Sequence, residues 1–160
     1  MALYLGIDIG TTSIASVIIN KSDSSVQSVD FSPHNAYIKN ENGIAEQDVD
    51  AILSVVDQLV NCHPINLIQQ VKEIGVAGQM HGILLWNKKT KKHSNLITWQ
   101  DRRASTQGII DQFQKQKNCS GLRDGFGFTS LATIYYNQKN NTNDDTFNLV
   151  KNDYNCCGTI

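Results

Sequence analysis

The chain has 160 residues, 40% of them hydrophobic, the length of one ordinary domain and enough apolar side chain to bury a core. Its 14 basic and 15 acidic residues give a net charge of −1, so it carries no basic footprint for nucleic acid. Its longest apolar runs are far too short to span a bilayer, and Cys62, Cys119, Cys156 and Cys157 have no metal-ligand spacing, which predicts a soluble, cytoplasmic protein kept reduced.

In chain order, residues 3–9, 13–20 and 26–31 read as three successive strands joined by short turns, an antiparallel beginning. Val49, Ile52, Leu53, Val56, Leu59 and Val60 then recur at helical spacing, opened by Asp48 and closed before His63-Pro64, as one apolar stripe facing a sheet. Residues 73–77 and 95–99 predict strands alternating with helices, the pattern of parallel strands joined by crossovers. Between them, Lys88, Lys89, Lys91 and Lys92 form a solvated hairpin tip after the run from Ile83 to Trp86. Residues 101–117 predict a helix with Ile109, Ile110 and Phe113 inward, weakened at Gly108 by about 1 kcal/mol relative to Ala. Shorter helices are expected over 129–138 and 145–151. The fold class is α/β, with a mixed sheet flanked by helices.

Three segments carry chemistry. Asp8, Gly10, Thr11, Thr12 and Ser13 lie between two strands, where Gly10 permits a tight turn and the amides and hydroxyls can face anionic oxygens. Asp8 can hold Mg²⁺ through water, because that ion keeps much of its hydration. The same residues also suit an ordinary hairpin with a surface Asp. Gln79, Met80 and His81, between Gly78 and Gly82, put an amide, an apolar surface and an imidazole where two strands meet. That suits a polyhydroxylated ligand, or equally a tight connection with a core His. Trp99 and Asp101 end the third segment, where Asp101 either caps a helix or accepts sugar hydroxyls beside the indole.

In this order, the three segments resemble the N-terminal lobe of the FGGY carbohydrate kinases. Gly78 to Gly82 looks like the xylulokinase and sedoheptulokinase branch, and Leu96 to Asp101, Gly125 to Phe128 and Ala132 to Tyr136 look like sedoheptulokinase. Glu46-Gln47-Asp48 is also family-like, whereas the doubled Arg102-Arg103 is closer to glycerol kinases. The resemblance implies an actin-like, ribonuclease H-like lobe whose first three strands are antiparallel and whose later strands are parallel. It implies ATP and Mg²⁺ as cofactors, Gly10, Thr11, Thr12 and Ser13 on phosphate, and Asp8 supporting the metal. The same resemblance implies that Gln79, Met80, His81 and Asp101 hold a ketose and that Trp99 shapes the pocket. A complete enzyme of the family has a second lobe, and its catalytic base, an Asp, is expected beyond Ile160. Residues 1–160 are therefore expected to be an incomplete N-terminal domain without the C-terminal lobe, inactive alone. The expected reaction phosphorylates a ketose at a primary hydroxyl, sedoheptulose to its 7-phosphate, with xylulose or another pentulose as the alternative substrate. A sugar-binding fragment without turnover is the alternative outside catalysis. No membrane or nucleic-acid partner is expected.

Overall fold

A computed structural model describes residues 2–117, 123–139 and 156–158, so the helix expected over 145–151 lies outside the described residues. The elements run β1 (Leu3–Ile9), β2 (Ser13–Asn20), β3 (Val26–Pro33), β4 (Tyr37–Glu41), β5 (Ile44–Gln47), α1 (Val49–Cys62), α2 (Ile65–Ile68) and β6 (Val71–Gly78). They continue with β7 (Leu84–Trp86), β8 (Leu96–Ile97), α3 (Arg103–Thr106), α4 (Ile109–Lys117), α5 (Gly127–Lys139) and β9 (Cys156–Gly158). Two compact units share the chain: Met1–Ala36 with Val49–Gln79, and Tyr37–Asp48 with Met80–Ile160. No helix among the described residues is long and apolar enough to cross a membrane.

The first unit is built on a four-stranded sheet in the order β3-β2-β1-β6. Alternation along β1 sends Leu3, Leu5 and Ile7 to one face and Tyr4, Gly6 and Asp8 to the other. β2 runs antiparallel to β1 from Leu3↔Asn20 to Ile9↔Ile14, and β3 runs antiparallel to β2. β6 is parallel to β1, with Asp8 opposite Ala77, which makes the sheet mixed as the sequence predicts. Leu3, Leu5 and Ile18 form the core, packed by Ile7, Val60, Leu67, Ile68 and Val71. α1 buries Val49, Ile52 and Leu59, but Leu53, expected in the same stripe, is 50% exposed. Beyond the end of α1, buried His63 bridges two strand hydroxyls, Ser16 at Nε2 (2.8 Å) and Ser28 at Nδ1 (2.7 Å), and so fastens the helix end to β2 and β3.

The second unit departs further from expectation. Residues 95–99 were expected to supply a parallel strand, whereas β8 pairs antiparallel with β5 in a separate sheet ordered β4-β5-β8. The β4-β5 hairpin itself is not anticipated by the three-strand opening. Its turn is Asn42-Gly43, both at positive φ (52° and 79°), a residue pair favoured in two-residue hairpin turns. The helix expected over 101–117 is two helices, because Gly108 sits at φ +68° and ends the first of them. The lysine-rich tip is confirmed: Trp86 bridges His93, and Asn87 Oδ1 accepts the amides of Lys89 and Thr90. β7 pairs antiparallel with β9, and Ile83, Ile97 and Ile134 make the core of this unit with Leu131 against it.

Gly43 is doubly constrained, since a Cβ there would lie 2.5 Å from Thr106 Oγ1 and 3.0 Å from the Arg102 carbonyl carbon and oxygen. Gly43→Ala should therefore cost about 1–3 kcal/mol, read as a lowered midpoint in urea with an unchanged slope.

Candidate active site

The turn after β1 closes on itself. The Gly10 amide donates to the Ser13 carbonyl at 3.0 Å, so it is spent within the turn and not offered outward as the sequence suggests. Glycine is needed here because a Cβ would stand 2.8 Å from that carbonyl oxygen. His34 clasps the same turn twice. Its backbone N–H donates to the Thr12 carbonyl (3.0 Å), and its ring Nε2–H donates to the Gly10 carbonyl (3.1 Å). A carbonyl only accepts, so Nε2 carries the proton, and Nδ1 is a buried acceptor without a hydrogen-bond partner among the described residues. His34 escapes local pattern reading because it lies in a loop and acts on residues 10 and 12 from across the β2-β3 hairpin.

Asp8 stands on the open face at the carboxyl end of β1, exposed, beside a hollow of about 460 Å³ lined by small residues including Gly6, Ala15, Gly75 and Ala77. The end of β6 joins the turn: Gln79 N–H donates to the Ile9 carbonyl (3.1 Å), and the Thr11 hydroxyl donates to Gln79 Oε1 (3.2 Å). The first unit therefore brings Asp8, residues 10–13 and Gln79 together. Among the described residues no three His, Cys, Asp or Glu side chains converge as a metal cage. The open Asp8 carboxylate and the glycine turn fit a hydrated Mg²⁺ and its phosphate, which demand few protein carboxylates.

The chain passes into the second unit between Gln79 and Met80. Met80 is 72% exposed, and His81 is exposed at φ +63°, not the buried core histidine of the bland reading. Phe126 meets the His81 ring edge to face at 4.6 Å, and Gly127 N–H donates to the His81 carbonyl at 2.8 Å. Gly127 leaves the room for this approach, because a Cβ would come within 2.7 Å of Ile83 Cβ. Trp99 is 45% exposed, and its neighbour Gln100 accepts from the Tyr37 hydroxyl at 2.5 Å.

Asp101 corrects the sequence reading. It is 1% exposed, and its carboxylate is filled by protein donors: Arg103 Nε (2.9 and 3.0 Å), Arg103 Nη2 (2.9 Å), the Ala45 amide (2.9 Å) and the Ser130 hydroxyl (2.7 Å). It also takes the Arg103 amide at 3.2 Å, which is the helix-start role. With no oxygen left for a sugar, Asp101 is an organiser of the corner. Arg103 reaches on to Glu46 at 2.5 Å, whose other oxygen accepts from Asn95 at 2.8 Å. Burial works against the Arg103 charge, but bonds and charges from Asp101 and Glu46 outweigh it and raise its pKa.

The family model described as the N-terminal domain of the FGGY family of carbohydrate kinases matches residues 3–135. Sedoheptulokinase of Mus musculus is 30% identical over 159 residues, covering 85% of this chain and 33% of that protein. The solved structure of a xyloylose kinase from Brucella ovis superposes with a TM-score of 0.73 at 19% identity, covering 98% of this chain and 32% of that one. Plasmodium falciparum glycerol kinase, solved with ADP, gives 0.70 at 20% identity, covering 88% and 29%. These likenesses show the actin-like fold of sugar kinases. The chain spans about a third of the length of the relatives it matches.

Removing Arg103 strands two buried carboxylates. Arg103→Met should destabilise the second unit by about 3–5 kcal/mol, and Arg103→Lys should recover only part, since a lysine cannot make the two-pronged contact. Chemical denaturation followed by circular dichroism checks both.

Proposed function

The chain belongs to the FGGY family of carbohydrate kinases, and we propose that it is a partial N-terminal domain supplying the sugar-side half of an ATP-dependent ketose kinase. The observation that carries this is the exposed Asp8 carboxylate beside a turn that only glycine can close. Phosphoryl transfer depends on positioning and charge neutralisation more than on covalent chemistry by the protein. Mg²⁺-ATP supplies the phosphoryl group and the counter-charge. In this reading Asp8 holds the hydrated metal, the hydroxyls of Thr11, Thr12 and Ser13 meet phosphate oxygens, and Gly10 makes the turn possible. The Thr11 bond to Gln79 ties that turn to the first sugar-binding side chain.

Gln79, Met80 and His81 orient the ketose, and Trp99 offers an apolar wall against its carbon face. Asp101 acts only by holding the corner that follows Trp99. None of these residues is assigned as the carboxylate base that takes the proton from the primary hydroxyl. The likeness to the mouse sedoheptulokinase favours sedoheptulose as the substrate, with xylulose or another pentulose as the second choice because the Gln79-Met80-His81 segment does not separate them.

The test is ketose-dependent ADP formation by the protein that carries this segment. Turnover with sedoheptulose above xylulose, and neither glycerol nor aldoses, is expected. Asp8→Asn should lower kcat by about 10²–10³ with folding intact, whereas His81→Ala should chiefly raise the ketose KM. Turnover confined to glycerol, or Asp8→Asn at full kcat, contradicts the proposal.

A further inference from the structure

We infer that the second unit carries an anion-selective pocket for a phosphorylated sugar, lined by Trp99, Gln100, Arg102, Arg123, Asp124 and Gly125. Its volume of about 610 Å³ is that of a small-ligand site. The inference shares Trp99 with the proposed ketose site but does not rest on that reading.

Charge selects the ligand. The lining has two arginines to one carboxylate, and the Asp124 carboxylate is engaged elsewhere: Ser105 donates to it through both its hydroxyl and its backbone N–H. Neither Arg102 nor Arg123 forms an ion pair with a carboxylate among the described residues. Arg123 instead holds its guanidinium carbon over the Phe126 ring at 5.2 Å, a stacking that orients the fork and uses none of its N–H donors. Two such forks match the oxygens of a phosphate monoester.

The remaining wall suits a sugar body. Trp99 presents a half-exposed indole, and Gln100, whose Oε1 is taken by the Tyr37 hydroxyl, has its amide N–H groups to offer sugar oxygens. Both residues are held in place from either side. Thr98 donates to the Ala45 carbonyl through its amide (3.0 Å) and hydroxyl (3.2 Å), and Asp101 is locked by Arg103. Preorganised walls of this kind bind without a large ordering cost. Gly125, at φ +87°, also lines the pocket and packs near Trp99: a Cβ there would stand 3.5 Å from the Trp99 carbonyl oxygen.

The test titrates the chain with glucose 6-phosphate, inorganic phosphate and glucose while tryptophan fluorescence is followed, with Trp99→Phe separating its signal from that of Trp86. Glucose 6-phosphate should give a saturable change that weakens as salt rises, inorganic phosphate should bind about tenfold more weakly, and glucose should give none. Arg102→Gln and Arg123→Gln should each weaken glucose 6-phosphate about tenfold or more, and both replace exposed side chains, so circular dichroism should be unchanged. No saturable change, equal binding of glucose or of free phosphate, or unaltered binding in both variants overturns the inference. Neither arginine is assigned a role in the proposed ketose site, so failure here and failure of the kinase reading are separate results.

Discussion

Strand β1 is paired on both edges along its full length, with β2 on one side and β6 on the other, and the chemistry at its carboxyl end depends on that. A strand held by two ladders and by a core of Leu3, Leu5 and Ile18 has little freedom to shift. A one-residue slip would turn Asp8 into the core and Ile7 out of it. The same pairing brings the end of β6 beside the end of β1, which is why Gln79 reaches both Ile9 and Thr11. The glycine turn is then closed from within by Ser13 and clasped from outside by His34. A rigid loop with hydroxyls beside an exposed carboxylate meets a charged ligand without paying to order itself.

In the second unit the corresponding constraint is electrostatic. Arg103, Asp101 and Glu46 are all buried, one cation against two carboxylates. Burial of that excess negative charge is tolerable because neutral donors share it: the Ala45 amide, the Ser130 hydroxyl and the Asn95 amide. The cluster joins the β4-β5 hairpin to the β8-α3 corner and α5, and so fixes the residues just before it, Trp99 and Gln100. Replacing such a cluster wholesale with apolar side chains can be neutral, but breaking one member cannot. Its value here is placement of an exposed indole in the turn that follows β8, a short strand of two residues.

Local pattern made much of the fold legible. Alternation gave β1, β2 and β3, the helical stripe gave α1, and the polar lysine tip between two apolar runs gave the turn that Asn87 organises. The Asn42-Gly43 hairpin carried a readable turn signal, but its flanks mix Glu46 and Gln47 into what is a buried strand, so their alternation is obscured. Pairing partners were harder. The direction of β8 depends on β5, and the fate of Asp101 depends on Ala45 and on Arg103's reach to Glu46, contacts spanning 56 and 57 residues. Nothing in the run of residues 96–101 distinguishes a carboxylate aimed at a ligand from one filled by distant donors. Arg103 looked like a family departure from sequence alone, and the fold shows it as the centre of the cluster.

The kinase reading stands on residues 10–13 receiving the phosphates of the nucleotide and Asp8 its metal. The measurement that tests it most directly is amide hydrogen exchange in the protein carrying this segment, with and without Mg²⁺-ADP. Added protection concentrated at residues 11–13, dependent on Mg²⁺ and lost in Asp8→Asn, is the expected result, because the Gly10 and Gln79 amides are already bonded within the protein. Nucleotide binding that protects other segments and leaves these amides unchanged would contradict it.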